Sequence, residues 1–138
     1  MFPRLAITVC AIALVLYGCT TPVKISDAES APIAQEFSQQ QFKESATIVV
    51  VRDAGLLASM NDFVIYLGNR TVGVLKPGQK LSFTIPAGSY IIGVGCNPCR
   101  EDHRSELQLV ALAGKQHAYR ASWGSEGVKL QASAQIDN

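Results

Sequence analysis

Two cysteines separated by two residues are the motif of this sequence that is most capable of chemistry. Cys96-Asn97-Pro98-Cys99 has the spacing of a local disulfide, of a redox-active dithiol and of half a zinc site. A c-type haem attachment would need histidine at position 100, where Arg100 stands. A thioredoxin-like centre would place the pair at the start of a helix in an α/β fold, and the surrounding sequence indicates no such helix.

We predict that this pair forms a disulfide. Asn97 precedes a proline and therefore favours extended backbone, and Pro98 suits the second position of a turn over residues 97–100. Such a turn can bring the Cα atoms of Cys96 and Cys99 within the roughly 4.4–6.8 Å that a disulfide needs. Two cysteines in a domain that is exported to an oxidising compartment also favour an intramolecular disulfide.

The two histidines of the chain define the alternatives for this pair. His103 and His117 could join both thiolates in a tetrahedral zinc site, and free thiols in redox exchange are the other alternative. His103 lies in the charged stretch 100–104, for which a solvated loop is the simpler interpretation. His117 lies at the start of a predicted strand, where it would be half-exposed. We therefore predict no metal ligands.

No combination of residues in the sequence indicates catalysis. An enzyme using a nucleophile needs a base and an orienting group beside it, and no such set is recognisable. Residues 124–127 include a serine between glycines, but Trp123 occupies the position of the first glycine of G-x-S-x-G. We expect no catalytic residues, no enzyme activity and no cofactor.

A further cysteine follows an apolar N-terminal segment. Residues 5–16 form an apolar run of 12 residues, which is the size of a signal-peptide core and shorter than the roughly 20 helical residues that span a bilayer. Leu16-Tyr17-Gly18-Cys19 looks like a bacterial lipobox. In proteins with this signal the cysteine thiol receives a diacylglycerol and the chain is cut before it. We predict lipidation at Cys19, with a plain signal peptide or an uncleaved anchor as the alternative.

The predicted processing has consequences for charge and location. The chain has 12 basic and 11 acidic side chains, a net charge of +1, which argues against nucleic acid as a partner. Loss of the signal peptide, residues 1–18, leaves 11 of each, so membrane attachment would depend on the acyl chains alone. Thr20 after the cysteine resembles lipoproteins sorted to the outer membrane. We expect a lipid-anchored outer-membrane protein whose domain faces the periplasm and contacts an envelope protein partner.

The segment after the cysteine has the composition of a linker. Residues 19–45 contain prolines, consecutive glutamines and many small polar residues, which predicts a lipidated N-terminus and a flexible tether. A flexible coil over residues 20–45, about 26 residues, would have an end-to-end distance of about 28 Å. The alternative is a short helix over residues 33–43, in which Ile33, Phe37 and Phe42 would pack on the domain.

The remaining chain predicts one all-β domain over residues 46–133, followed by a tail over residues 134–138. Short alternating segments recur about every ten residues between turns, which favours a small antiparallel β-sandwich of about seven to eight strands. Residues 47–52 are a β-branched run that ends in arginine and shows no alternation, which is typical of a strand buried on both faces. Alternation places the following side chains in the core: Phe63, Ile65, Leu67, Phe83, Ile85, Leu107, Leu109 and Trp123.

Several turn-and-strand motifs carry a family resemblance. Residues 46–94 contain a run of strands that ends in the Pro-Ala-Gly-Ser-Tyr motif of residues 86–90, and an Ala-Gly-Lys element at residues 113–115 precedes Tyr119. On these motifs the chain resembles a family of bacterial envelope lipoproteins of unknown function and, more loosely, PEGA-type surface β-domains. The resemblance covers most of residues 42–123. It implies a β-sandwich and an envelope location, and it implies no activity.

The sequence therefore predicts a non-catalytic envelope lipoprotein whose sandwich is an interaction or accessory module. The sheet edges and the loops 53–61 and 100–105 are the expected contact surfaces. One alternative is a small-ligand or metal-binding lipoprotein that uses the loop 96–103. Another is an accessory subunit of a secretion or conjugation machine.

Overall fold

A computed structural model describes residues 21–38, 40–55, 60–99 and 103–134. Within them it confirms the all-β prediction, with nine strands in two sheets and one four-residue helix. The elements are β1 Glu29–Ser30, α1 Gln35–Ser38, β2 Ser45–Arg52, β3 Asp62–Leu67, β4 Arg70–Leu75, β5 Gln79–Pro86, β6 Gly88–Asn97, β7 Ser105–Ala111, β8 Gln116–Gly124 and β9 Gly127–Ala132. The described part of the chain holds no helix with the length and apolar character that crossing a membrane requires.

The nine strands form a five-stranded and a four-stranded sheet. Sheet one has the order β1-β5-β2-β8-β9, and sheet two has the order β4-β3-β6-β7. Most neighbours are antiparallel, but β2 runs parallel to β8 and β1 runs parallel to β5. Parallel neighbours need a long crossover between them. Between β2 and β8 that crossover contains the whole of sheet two as well as β5.

The connections between strands lie at two opposite ends of the sandwich. The segments that follow β2, β4, β6 and β8 lie at one end, which we call the Ala54 end. The segments that follow β3, β5 and β7 lie at the other, the Ala87 end. The cysteine pair follows β6 and therefore lies at the Ala54 end.

The core between the sheets contains the predicted side chains. Six of the eight are at most 3% exposed, namely Phe63, Ile65, Leu67, Phe83, Ile85 and Leu109. Leu107 and Trp123 are partly buried and pack against this core. Trp123 lies near the end of β8, and its indole stacks on the ring of Phe63 with 6.4 Å between centroids. The alternation rule is correct about the inward face and overstates burial near the ends of strands.

Strand β2 is buried on both faces, as its unbroken apolar run predicts. Ile48 and Val50 face sheet two and belong to the main core. The alternate side chains face outward, where the N-terminal segment covers them. This second cluster consists of Ile25, Ala28, Val49, Val51 and Ala118, with Val23 at its margin.

Over residues 21–38 the structure corrects the prediction of a flexible tether, which covered residues 19–45. Residues 21–38, which we call the strap, cross the outer face of sheet one and pair with its edge, where Glu29–Ser30 adds to β5. The strap lacks periodicity because it is held by backbone hydrogen bonds and by isolated apolar side chains rather than by one continuous apolar face. The helix alternative is correct in part, because α1 makes one turn and Phe37 is buried.

The strap also closes one side of the sandwich, between β5 and β4. The Ala34 N–H donates to the Val72 carbonyl over 2.7 Å, and Ile33 forms an antiparallel bridge with Gly73. A Cβ atom on Gly73 would lie 2.9 Å from the carbonyl oxygen of Pro32. This approach is closer than real Cβ atoms show, so glycine is required where the strap passes over β4.

Candidate functional site

Cys96 and Cys99 are joined by a disulfide at the Ala54 end of sheet two, with their Cα atoms 5.1 Å apart. The Asn97–Pro98 peptide bond is cis, and the Cys99 N–H donates to the Cys96 carbonyl over 3.1 Å. The turn therefore spans residues 96–99 with proline in its third position. The predicted turn over residues 97–100 is one residue too late, because Asn97 still pairs with β3 as the last residue of β6.

The structure separates the two histidines of the zinc alternative. His103 lies at the Ala54 end with the disulfide. His117 is the second residue of β8 at the Ala87 end, where its Nε2 accepts a hydrogen bond from the Leu112 N–H over 3.1 Å. Both cysteine sulfurs are engaged with each other. No group of three or more metal-ligating side chains forms within the described ranges, so the four-ligand set is not assembled.

A cavity of about 580 Å³ opens beside the disulfide on the outer face of sheet two. Its lining includes Tyr66, Gly95, Cys96, Cys99, His103 and Arg104. The cavity depends on glycines in the central strand β6. A Cβ on Gly95 would lie 3.2 Å from Cε2 of Tyr66, and one on Gly93 would lie 3.3 Å from Nε of Arg104. Because Gly93 and Gly95 have no side chains, there is room for those of Tyr66 and Arg104, which form the wall of the cavity.

Arg104 forms that wall together with Tyr66. Its guanidinium lies over the tyrosine ring, 4.1 Å from the centroid, and its Nε is 2.8 Å from the carboxylate of Glu106. A third contact runs to the carbonyl of Gly68 over 3.1 Å. Arg104 lies in the predicted contact loop 100–105, whereas Tyr66 is not among the predicted site residues. The signal was the alternation of β3, which turns Tyr66 outward next to Gly93.

A buried arginine stabilises the same end from inside. Arg52 is fully buried at the end of β2, donates to the Leu75 carbonyl over 2.6 Å and lies 3.8 Å from the ring centroid of Phe63. Burial lowers the pKa of Arg52 to about 10, and the nearby carboxylate of Asp62 opposes that change. These contacts join β2, β3 and β4, so the role of Arg52 is to position the strands of the Ala54 end.

The strap is held at Val23 by an ion pair. Asp53 and Arg120 contact each other directly. The Asp53 carboxylate accepts the Val23 N–H over 3.3 Å, and Arg120 donates to the Val23 carbonyl over 3.0 Å. Lys80 holds the next turn by donating to the Ile25 carbonyl over 2.9 Å.

The first described residue is also fixed. The Thr21 N–H donates to the Ala54 carbonyl over 2.6 Å, and the Ala54 N–H donates back over 3.0 Å. The predicted signal peptide and the predicted lipidation site Cys19 lie outside the described residues. One residue, Thr20, separates that cysteine from the fixed backbone.

The two outer faces of the sandwich differ in their cover. The strap lies over part of the outer face of sheet one, whereas no part of the described chain covers the outer face of sheet two. On that open face Val74 is 40%, Ile91 45% and Val110 53% exposed. Ile91 and Val110 are diagonal neighbours across the β6–β7 pair, whereas Val74 lies apart from them on the edge strand β4. Neighbouring exposed apolar side chains are a feature of binding surfaces.

Comparisons with known proteins add little to this geometry. No family model matches the chain, and no curated protein matches it. Among solved structures it is similar to the NMR structure of a protein from Eubacterium rectale, at 12% identity and a TM-score of 0.45. That alignment covers 73% of this chain and 100% of the other.

Proposed function

We propose that this protein is a lipid-anchored envelope lipoprotein whose β-sandwich is a non-catalytic interaction module. The observation that carries the proposal is the open outer face of sheet two, with Val74, Ile91 and Val110 between 40% and 53% exposed. The partner is an envelope protein that buries this apolar face. If that partner belongs to a secretion or conjugation machine, the protein is an accessory subunit of it.

The anchor rests on the lipobox and is tested at its cysteine. Cys19→Ser should abolish incorporation of labelled fatty acid and leave an uncleaved precursor, because no thiol remains to accept the diacylglycerol. Cys10→Ser is the matched control, since that residue lies inside the apolar run and should leave labelling unchanged. Labelling that survives in the Cys19→Ser protein would reject the lipoprotein assignment.

The interaction surface is tested by photo-crosslinking in native membranes. A photoreactive amino acid at Ile91 should capture a defined protein, and Val110→Glu in the same protein should remove that product. A photoreactive group at exposed Lys24, on the strap over sheet one, is the control. Identical products at both positions, or no product at Ile91, would reject the open face as the docking surface.

A second candidate function is supported by the cavity beside the disulfide. Its volume of about 580 Å³ is in the range of small-molecule sites, which span about 300–1,000 Å³. Native mass spectrometry of protein purified from its own envelope should then show a bound mass that Gly95→Leu removes, because the new side chain fills the space next to Tyr66. Absence of any bound mass from the unsubstituted protein would reject this candidate.

A further inference from the structure

We infer that the Ala54 end of the sandwich lies directly against the surface of the lipid bilayer. This inference rests on the proposed lipidation of Cys19. Its basis is the pair of backbone hydrogen bonds, 2.6 and 3.0 Å long, that joins Thr21 to Ala54. The backbone that these bonds hold thus lies two positions after the proposed acylated cysteine.

The number of residues between Cys19 and Thr21 limits how far the domain can lie from the membrane. Two residues extend the chain by at most about 7 Å, compared with about 28 Å for a flexible coil of 26 residues. The start of the strap does not lengthen this connection, because its backbone is held by side chains of sheet one. Asp53 and Arg120 bind Val23, and Lys80 binds Ile25. The lipidated cysteine and the Ala54 end are consequently held within about 7 Å of chain of each other.

The same end presents an apolar side chain where the bilayer would lie. Met60, in the connection from β2 to β3, is 89% exposed. The eight residues of β2 span about 26 Å at roughly 3.3 Å per residue. The Ala87 end therefore lies about that much further from the membrane than the Ala54 end. Leu112 at the Ala87 end is 53% exposed and provides a matched apolar position. Removal of residues 1–18 leaves no net charge, so contact with lipid does not depend on anionic headgroups.

The test uses the full chain in native membranes with a photoreactive amino acid at position 60 or at position 112. Crosslinks to phospholipid should be about tenfold more frequent at Met60 than at Leu112. A Gly/Ser insert of about twelve residues between Thr20 and Thr21 adds roughly 20 Å of reach. The insert should reduce the lipid crosslinks at Met60 about tenfold by lowering the effective lipid concentration.

The mass of the N-terminal peptide, measured in the same samples, separates the two proposals. An acylated protein with equal lipid crosslinks at both positions, or with none at Met60, overturns the inference and leaves the anchor intact. An acylated protein in which the insert has no effect overturns it as well, since orientation would then not depend on the short connection. A protein without acyl groups overturns the proposed function and this inference together.

Discussion

Asp53 and Arg120 form an ion pair that encloses the backbone of Val23, one side chain accepting from its N–H and the other donating to its carbonyl. Asp53 directly follows β2, and Arg120 lies on the neighbouring strand β8. Two adjacent strands of sheet one thus hold the strap from both sides. The pair connects the start of the described chain with strands formed much later in the sequence.

Removal of the carboxylate from this pair should destabilise the domain strongly. Asp53→Ala leaves the guanidinium of Arg120 partly buried without its counter-charge and breaks the bond to Val23. We expect a loss of about 3 kcal/mol in the free energy of unfolding, measured by denaturant titration.

An exposed ion pair at the other end of the strap is the control for that substitution. Arg70 and Glu36 are 3.4 Å apart and both roughly half-exposed. Glu36→Gln should change the free energy of unfolding by less than about 0.5 kcal/mol. Equal losses in the two variants would show that the Asp53–Arg120 pair does not hold the strap.

A methyl group at Gly73 should displace the strap. Its Cβ would lie 2.9 Å from the Pro32 carbonyl oxygen and from Cδ2 of Leu81. Gly73→Ala should cost about 1–3 kcal/mol and increase hydrogen exchange over residues 31–38. Gly124→Ala is the control, because its Cβ would meet its nearest neighbour at an ordinary 3.7 Å. Unchanged exchange in Gly73→Ala would contradict the close packing of strap and β4.

The disulfide should be present in the exported protein and should contribute little to global stability. Alkylation under native, non-reducing conditions should modify neither Cys96 nor Cys99. A bond that closes a loop of four residues contributes about 2 kcal/mol or less by chain entropy, so replacement of both cysteines by serine should leave a folded domain. Two reactive thiols in the native protein would contradict the disulfide and favour redox exchange.

Trp123 should contribute less to stability than its size suggests. The indole is only partly buried and stacks on one side against Phe63. Trp123→Ala should therefore cost about 2 kcal/mol, and Phe63→Ala, at a fully buried position, about 4 kcal/mol. Denaturant titration of both variants checks the order, and a larger loss for Trp123→Ala would contradict the partial burial.

Alkaline pH should destabilise the domain through Tyr119. Burial raises the pKa of this tyrosine above its ordinary value of 10, so above pH 10 the native state binds more protons than the unfolded chain. The free energy of unfolding then falls as the pH rises. The pKa of Arg52, which burial lowers to about 10, acts in the opposite direction over that window. Tyr119→Phe should lose less stability than the unsubstituted protein above pH 10, and identical pH profiles would contradict the effect of burial.

Much of the fold follows from the sequence because side-chain alternation is a local property. Residues such as Phe63 and Ile65 in β3, and Phe83 and Ile85 in β5, point to the core by position alone. The run over residues 47–52 also predicts that both faces of β2 are covered. It does not say by what, because the covering residues Ile25 and Ala28 lie in a segment whose composition is that of a linker.

The candidate site was less predictable, because it depends on which strands become neighbours. The cysteine pair is local in sequence, so spacing alone favours the disulfide. Tyr66 and Arg104 meet only because β3 and β6 pair and because Gly93 and Gly95 leave space between them. The Val23 contact likewise depends on the parallel pairing of β2 with β8, which alternation does not encode.

The bond from Arg120 to Val23 joins residues 97 positions apart, and this separation sets the order in which the domain can fold. Topologies dominated by such distant contacts fold slowly, in milliseconds to seconds. The strap is synthesised early, yet β8, the strand that carries Arg120, is among the last to be synthesised. Until then the uncharged β-branched run over residues 47–51 lacks its cover, and such runs are prone to intermolecular β-pairing. The time needed to deliver β8 is therefore the interval in which this chain is most vulnerable to aggregation.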